Sequence, residues 1–78
     1  MSSGDTEAVR EITIRGDMIR LGQLLKLAGF ADSGGEARMF LDEGLVTVNG
    51  EPEARRGRQL HGGDVVTLEG EDPVRIAV

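Results

Sequence analysis

The spacing of the apolar residues changes at Gly44, and this change fixes the class of fold available to the chain. Before Gly44, Leu21, Leu24, Leu25 and Ala28 recur at the three-and-four spacing of one helix face, as do Ala37, Phe40 and Leu41. After it the period is two. Leu45-Val46-Thr47-Val48 reads as a strand that runs into Asn49-Gly50, the strongest short signal for a tight hairpin, because both positions tolerate positive φ. The spacing predicts two short helices, the first closed by Gly29 and the second by Gly44. Ser33 followed three residues later by Glu36 predicts a capping box at the start of the second. Only Phe30-Ala31-Asp32 separates the helices, so they should pack as a tight pair with Phe30 and Phe40 bridging them.

Strands account for the rest. Val9–Arg15 turns to alternation with Ile12 and Ile14 on one face, and Gly16-Asp17 breaks it. The return strand of the hairpin is expected to pass through Glu51–Ala54 into Arg55–Arg58. Gly62-Gly63 marks a turn, and Asp64–Leu68 and Val74–Val78 read as two more strands. The expectation is an α+β domain, a short helix pair packed beside a small, mostly antiparallel sheet. With 78 residues there is room for one such domain, over 9–78, preceded by a flexible acidic tail at 1–8.

Composition narrows the chemistry. There is no cysteine, so neither a disulfide framework nor a thiolate metal site is available. His61 is the sole histidine and sits beside Gly62-Gly63, where an exposed turn residue explains it. Of the serines, Ser2 and Ser3 lie in the tail and Ser33 has a capping role, which leaves no nucleophile–base pair. Neither glycine pair has the spacing of a phosphate-loop or dinucleotide fingerprint. No enzyme activity, cofactor, metal or small-molecule substrate is expected. No apolar run approaches the roughly 20 residues that span a bilayer, and the start lacks a secretory pattern, so the expected address is the cytoplasm without membrane contact.

The formal net charge is −5. Asp5 and Glu7 at one end and Glu69-Gly70-Glu71-Asp72 near the other carry five uncompensated acids, which leaves nine acids against nine bases elsewhere. Net charge therefore does not exclude a polyanionic partner. Arg55-Arg56-Gly57-Arg58 places three guanidiniums in four residues, with Gly57 allowing close approach. These side chains suit bidentate contact with phosphate oxygens; equally, they suit a solvated loop balancing Glu51 and Glu53. The start of the second helix, with Ser33, Gly34 and Gly35, exposes backbone N–H groups at its positive end, and capping alone also accounts for it. Lys26 and Arg38 lie off the apolar stripes as surface bases, Arg38 within reach of Asp42 at i,i+4. Phe30 and Phe40 are the only aromatics and both are claimed by the core, so no base-stacking platform is available. An RNA partner would be read by shape and phosphate.

Taken together, Arg20-Leu21, Ser33-Gly34-Gly35-Glu36-Ala37, Glu43-Gly44-Leu45-Val46-Thr47-Val48-Asn49-Gly50 and Gly63-Asp64-Val65-Val66 resemble the RNA-binding domain first seen in ribosomal small-subunit protein four. The resemblance spans roughly Met18 to Leu68 and is closest to small stand-alone bacterial members, through Leu21-Gly22-Gln23, Ser33-Gly34-Gly35 and Arg55-Arg56-Gly57-Arg58. It implies the helix–hairpin arrangement known as the αL motif and a non-enzymatic module that binds structured RNA, commonly ribosomal. By position it implies contacts from Arg20, Lys26, Ser33, Arg38, Arg55, Arg56 and Arg58. Gly34 stands where many members carry a base and Gly22 where many carry an acid, which implies an RNA surface shifted toward the arginine-rich stretch. The alternative function is a small protein-interaction adaptor on the ribosome or replication machinery, docking through the acidic ends. Nothing in the sequence calls for more than a monomer.

Overall fold

The computed structural model describes residues 9–78; the tail expected to be flexible, 1–8, lies outside the described residues. Seven strands and two helices follow in the order β1 (Arg10–Thr13), β2 (Ile19–Arg20), α1 (Leu21–Leu27), α2 (Gly34–Asp42), β3 (Val46–Val48), β4 (Glu51–Pro52), β5 (Gln59–Leu60), β6 (Val65–Leu68) and β7 (Val74–Ala77). Five strands form one sheet in the order β1-β7-β6-β3-β4, antiparallel except for the parallel β1–β7 pair. The α+β architecture with a mostly antiparallel sheet is as the sequence predicts.

One hydrophobic cluster holds the layers together. Leu21, Leu24, Leu25 and Ala28 of the first helical stretch and Ala37 and Leu41 of α2 are buried against Val46, Val48, Val66, Leu68, Val74 and Ile76 of the sheet. The alternation is exact in β7, where Val74 and Ile76 are buried while Arg75 is exposed. Period two therefore delivers one face of each strand to the helices. Gly29 and Gly44 end the helical stretches at φ 81° and 74°, the left-handed region that a residue without Cβ enters freely.

The hairpin is built as Asn49-Gly50 predicts. Asn49 at φ 53° and Gly50 at φ 86° make the two-residue turn between β3 and β4. Asn49 does more than turn. Its Nδ2 donates to Asp64 Oδ1 at 3.1 Å, and its Oδ1 accepts from the Val65 amide at 2.9 Å. The other carboxylate oxygen, Asp64 Oδ2, accepts from the His61 amide at 2.8 Å. This network ties the β3–β4 turn to the turn before β6.

Three expectations are corrected. The return strand does not continue through Arg55–Arg58: β4 stops at Pro52, one last bond runs from the Glu53 amide to the Val46 carbonyl at 3.1 Å, the next two amides turn onto the Glu53 carboxylate, and the arginines form a loop. That loop leads to β5, which pairs with β2 in a separate two-residue ladder, Ile19 with Leu60 and Arg20 with Gln59. The Glu36 carboxylate accepts from the Asp32 amide at 2.8 Å rather than from that of the cap, Ser33. Ser33 Oγ does accept from the Glu36 amide, at 3.2 Å. Finally, Phe30 and Phe40 sit at the margin of the core, half-buried, and Phe30 carries the Arg10 guanidinium 5.8 Å from its ring centroid.

Candidate nucleic-acid interface

The arginine loop is docked onto the first turn of α1. The opening amides of a helix have no intrahelical acceptor, and here the loop supplies one for each of two. The Leu21 amide donates to the Arg58 carbonyl and the Gly22 amide to the Arg56 carbonyl, both at 2.9 Å. Arg20 adds a third tie to the loop, its Nη1 donating to the Gly57 carbonyl at 3.3 Å, while its amide donates to Gln23 Oε1 at 3.5 Å within the start of α1. The positive end of α1 is thus spent on holding the loop in place.

The docking creates a groove of ≈ 400 Å³ between α1, α2 and the loop. Its cations are Arg20, Lys26 and Arg56, its floor includes Gly22, Gly34 and Gly57, and Gln23 and Ala37 complete the lining. Among the described residues no carboxylate lines it. Gly22 makes room for the Arg56 side chain as it lies: a Cβ there would stand 2.5 Å from Arg56 Cγ and 3.2 Å from Cδ. Gly34 faces open space, with nothing within 4 Å of where its Cβ would be. The start of α2 therefore borders the groove without a side chain in the way.

A second concavity, ≈ 510 Å³, lies on the other side of the loop, lined by Arg55, Gly57, Arg58, Gln59 and His61. Gly57 belongs to both. Arg55 and Arg58 are engaged on Glu53. Arg55 donates through Nε and Nη2, both at 3.1 Å, and Arg58 through Nη1 at 2.8 Å. The amides of Ala54 and Arg55 donate to the same carboxylate at 3.1 and 3.0 Å. The Arg55 guanidinium, then Arg58 and the Arg55 amide, hold the Glu53 carboxyl far below the usual glutamate range. Reciprocally, the hydrogen bonds to Glu53 push Arg55 up. At Asp64, burial pushes the carboxyl up, but the His61 amide, the Asn49 side chain and the nearby His61 and Arg58 outweigh it and leave it lowered.

Of the residues singled out in the sequence, the groove unites Arg20, Lys26, Gly34 and Arg56. Ser33 and Gly35 flank Gly34 at the start of α2. Arg55 and Arg58 fall on the far side of the loop, and Arg38 lines neither concavity. Arg38 is exposed and pairs with Asp42 at 3.8 Å across one helical turn. Two structural residues of the site carry weaker sequence signals. Gly22 stands inside a helix where alanine would be the better former, and Glu53 stands two and five residues from the arginines it binds. Among the described residues no group of three or more His, Asp or Glu side chains is placed to hold a metal ion.

A helix pair on a small sheet, with a hairpin and a returning loop closing over the first helix, is an αL-type module. The family model of the S4 domain matches residues 12–77, and the chain belongs to that family. It is 58% identical over 59 residues to the "Probable ribosome maturation protein RlbA" of Bacillus subtilis, a match covering 76% of this chain and 83% of that protein. It is 36% identical over 52 residues to YbcJ of Escherichia coli K12, covering 67% of this chain and 74% of that one. The solution structure of E. coli YbcJ, described as revealing an αL motif involved in RNA binding, superposes with a TM-score of 0.64 at 27% identity, covering 100% of this chain and 96% of that one. The 30S ribosomal protein S4e of Thermoplasma acidophilum superposes with a TM-score of 0.59 at 26% identity, over 78% of this chain and 32% of that one.

Proposed function

We propose that this protein is a non-enzymatic RNA-binding module of the cytoplasm that grips the phosphates of structured RNA, ribosomal RNA in particular, as a monomer. One observation carries the reading. In a chain of net charge −5, one groove gathers two arginines and a lysine from three different segments, and among the described residues no carboxylate lines it. Such a groove suits closely spaced negative charge, and the guanidiniums of Arg20 and Arg56 suit phosphate oxygens in particular. The unobstructed first turn of α2 at Ser33, Gly34 and Gly35 adds backbone donors at its positive end. Arg55, Arg58 and Arg38 extend the basic surface on its flanks.

The relatives support the partner class: RlbA is named for ribosome maturation and YbcJ for an RNA-binding motif. Domains of this family are in general not enzymes. Among the described residues no helix is long and apolar enough to cross a membrane.

Three phosphate contacts predict that log affinity falls with log salt at a slope of about −2 to −3. The test follows backbone amide shifts of the labelled protein while a structured ribosomal RNA fragment is added at low and then higher salt. Salt-sensitive shifts are expected at residues 20–26, 33–38 and 55–58. Arg56→Ala should abolish most of the binding and Arg38→Ala should not. Shifts confined to residues 69–72, or none at all in the folded protein, would overturn the reading in favour of a protein partner.

A further inference from the structure

The three arginines of the loop are not equivalent, and the difference is made by one carboxylate. We infer that Glu53 is a positioning residue for RNA recognition: it holds Arg55 and Arg58 on its own oxygens, withholds them from arbitrary phosphates and leaves Arg56 to the groove. This rests on the RNA reading above.

Five donors converge on Glu53, two backbone amides and three guanidinium N–H groups, at 2.8 to 3.1 Å. Its side chain is only 9% exposed, whereas the carboxylates of the pairs Arg38–Asp42 and Arg75–Glu11 are 66% and 56% exposed. Those two are ordinary solvated surface pairs; the Glu53 cluster is part of the loop's framework. The backbone amides of Ala54 and Arg55 anchor the carboxylate independently of the arginines, so it remains in place to receive them.

Arg55 meets it with Nε and Nη2, the same parallel fork that it would lay on a phosphate. The carboxylate occupies the seat of an RNA phosphate at that guanidinium. The Arg56 side chain, between them, makes no hydrogen bond or ion pair with any described residue; its carbonyl accepts from the Gly22 amide and its stem lies over Gly22. A flexible strand can therefore use Arg56, Arg20 and Lys26 without displacing a carboxylate, but must displace one to take the Nε–Nη2 fork of Arg55. An RNA whose folded shape presents phosphates along the groove needs no such displacement. Glu53 thus favours structured RNA over arbitrary single strands by lowering affinity for the latter.

The experiment compares wild type, Glu53→Gln, Arg55→Ala, Arg56→Ala and the Glu53→Gln/Arg55→Ala double variant. Each is titrated with poly(U) and with a structured ribosomal RNA hairpin at several salt concentrations. Glutamine keeps an oxygen for the backbone amides but not the charge. The inference expects Glu53→Gln to bind poly(U) about fivefold or more tightly at 0.1 M salt, with a salt slope steeper by about 1. The hairpin should gain less, so the ratio of the two affinities falls. In the wild-type background Arg55→Ala should change poly(U) affinity less than about twofold and Arg56→Ala much more; in the Glu53→Gln background Arg55→Ala should remove the gain. A purely structural Glu53 would instead lose affinity for both RNAs together, and that result, or an unchanged ratio, overturns the inference while the RNA reading stands. Wild type without salt-sensitive binding to either RNA overturns the RNA reading and this inference with it. Should Glu53→Gln fail to fold, equal losses from Arg55→Ala and Arg56→Ala would overturn the inference without it.

Discussion

Gly22 and Arg56 occupy one another's space: a β-carbon on Gly22 would lie 2.5 Å from Arg56 Cγ, and the Gly22 amide donates to the Arg56 carbonyl at 2.9 Å. The first turn of α1 and the arginine loop meet at a point where a β-carbon fits only if the Arg56 side chain moves. The consequence is that a helix residue with no side chain controls where a guanidinium on a distant loop points.

Gly22→Ala should separate binding from stability. Alanine favours the helix by up to about 1 kcal/mol, which offsets the cost of pushing the flexible Arg56 stem aside. The melting temperature should therefore change by only a few degrees while affinity for a structured RNA falls at least severalfold. A collapse in melting temperature would show that the loop backbone, not the Arg56 side chain, gives way.

Core substitutions should grade with burial. Leu25 is fully buried, and Leu25→Ala should cost about 2–5 kcal/mol in urea unfolding. Phe40 is only half-buried at the rim, so Phe40→Ala should cost less than Leu25→Ala despite removing more atoms. The reverse order would contradict the placement of Phe40.

Acid should reveal Glu53. Its carboxyl is held far below the ordinary value of 4.5 by Arg55 and Arg58, so the folded state binds a proton less readily than the unfolded chain. The stabilisation is complete above about pH 4.5 and is lost as pH falls from there through the folded value. Thermal unfolding followed from pH 6 to pH 2 should show a drop below pH 4.5, and Glu53→Gln should flatten it. Asp64, also lowered, contributes the same sign. A Glu53→Gln curve parallel to wild type would mean that Glu53 does not supply the acid sensitivity.

The hairpin should fail through two different mechanisms. Asn49→Ala removes two hydrogen bonds to Asp64 and the Val65 amide, at a cost of about 1–3 kcal/mol. Gly50→Ala forces a β-carbon into φ 86°, a cost of about 1 kcal/mol or more. Glu51→Ala, on an exposed β4 position, should stay within about 0.5 kcal/mol. Equal effects at Gly50 and Glu51 in denaturant titrations would argue against the left-handed turn.

The elements whose physics is local were legible in the order of the amino acids. Helix faces at Leu21, Leu24 and Leu25, the stops at Gly29 and Gly44, the turn at Asn49-Gly50 and the alternating strands all follow from periodicity and backbone preference, which act over a few residues. The motifs drawn from those segments also sufficed to place the chain in its family. The rest depends on contacts between distant parts of the chain. The β2–β5 ladder is two residues long and carries no period, so it exists only because the loop returns to Arg20. Arg20, Lys26, Gly34 and Arg56 form one groove because two loop carbonyls cap α1, a contact between residues more than thirty positions apart that no local signal encodes. The division of labour among Arg55, Arg56 and Arg58 is likewise geometric. Adjacent arginines look alike in a sequence; the chain path set by Glu53 and Gly22 turns one toward the groove and folds its neighbours back onto a carboxylate.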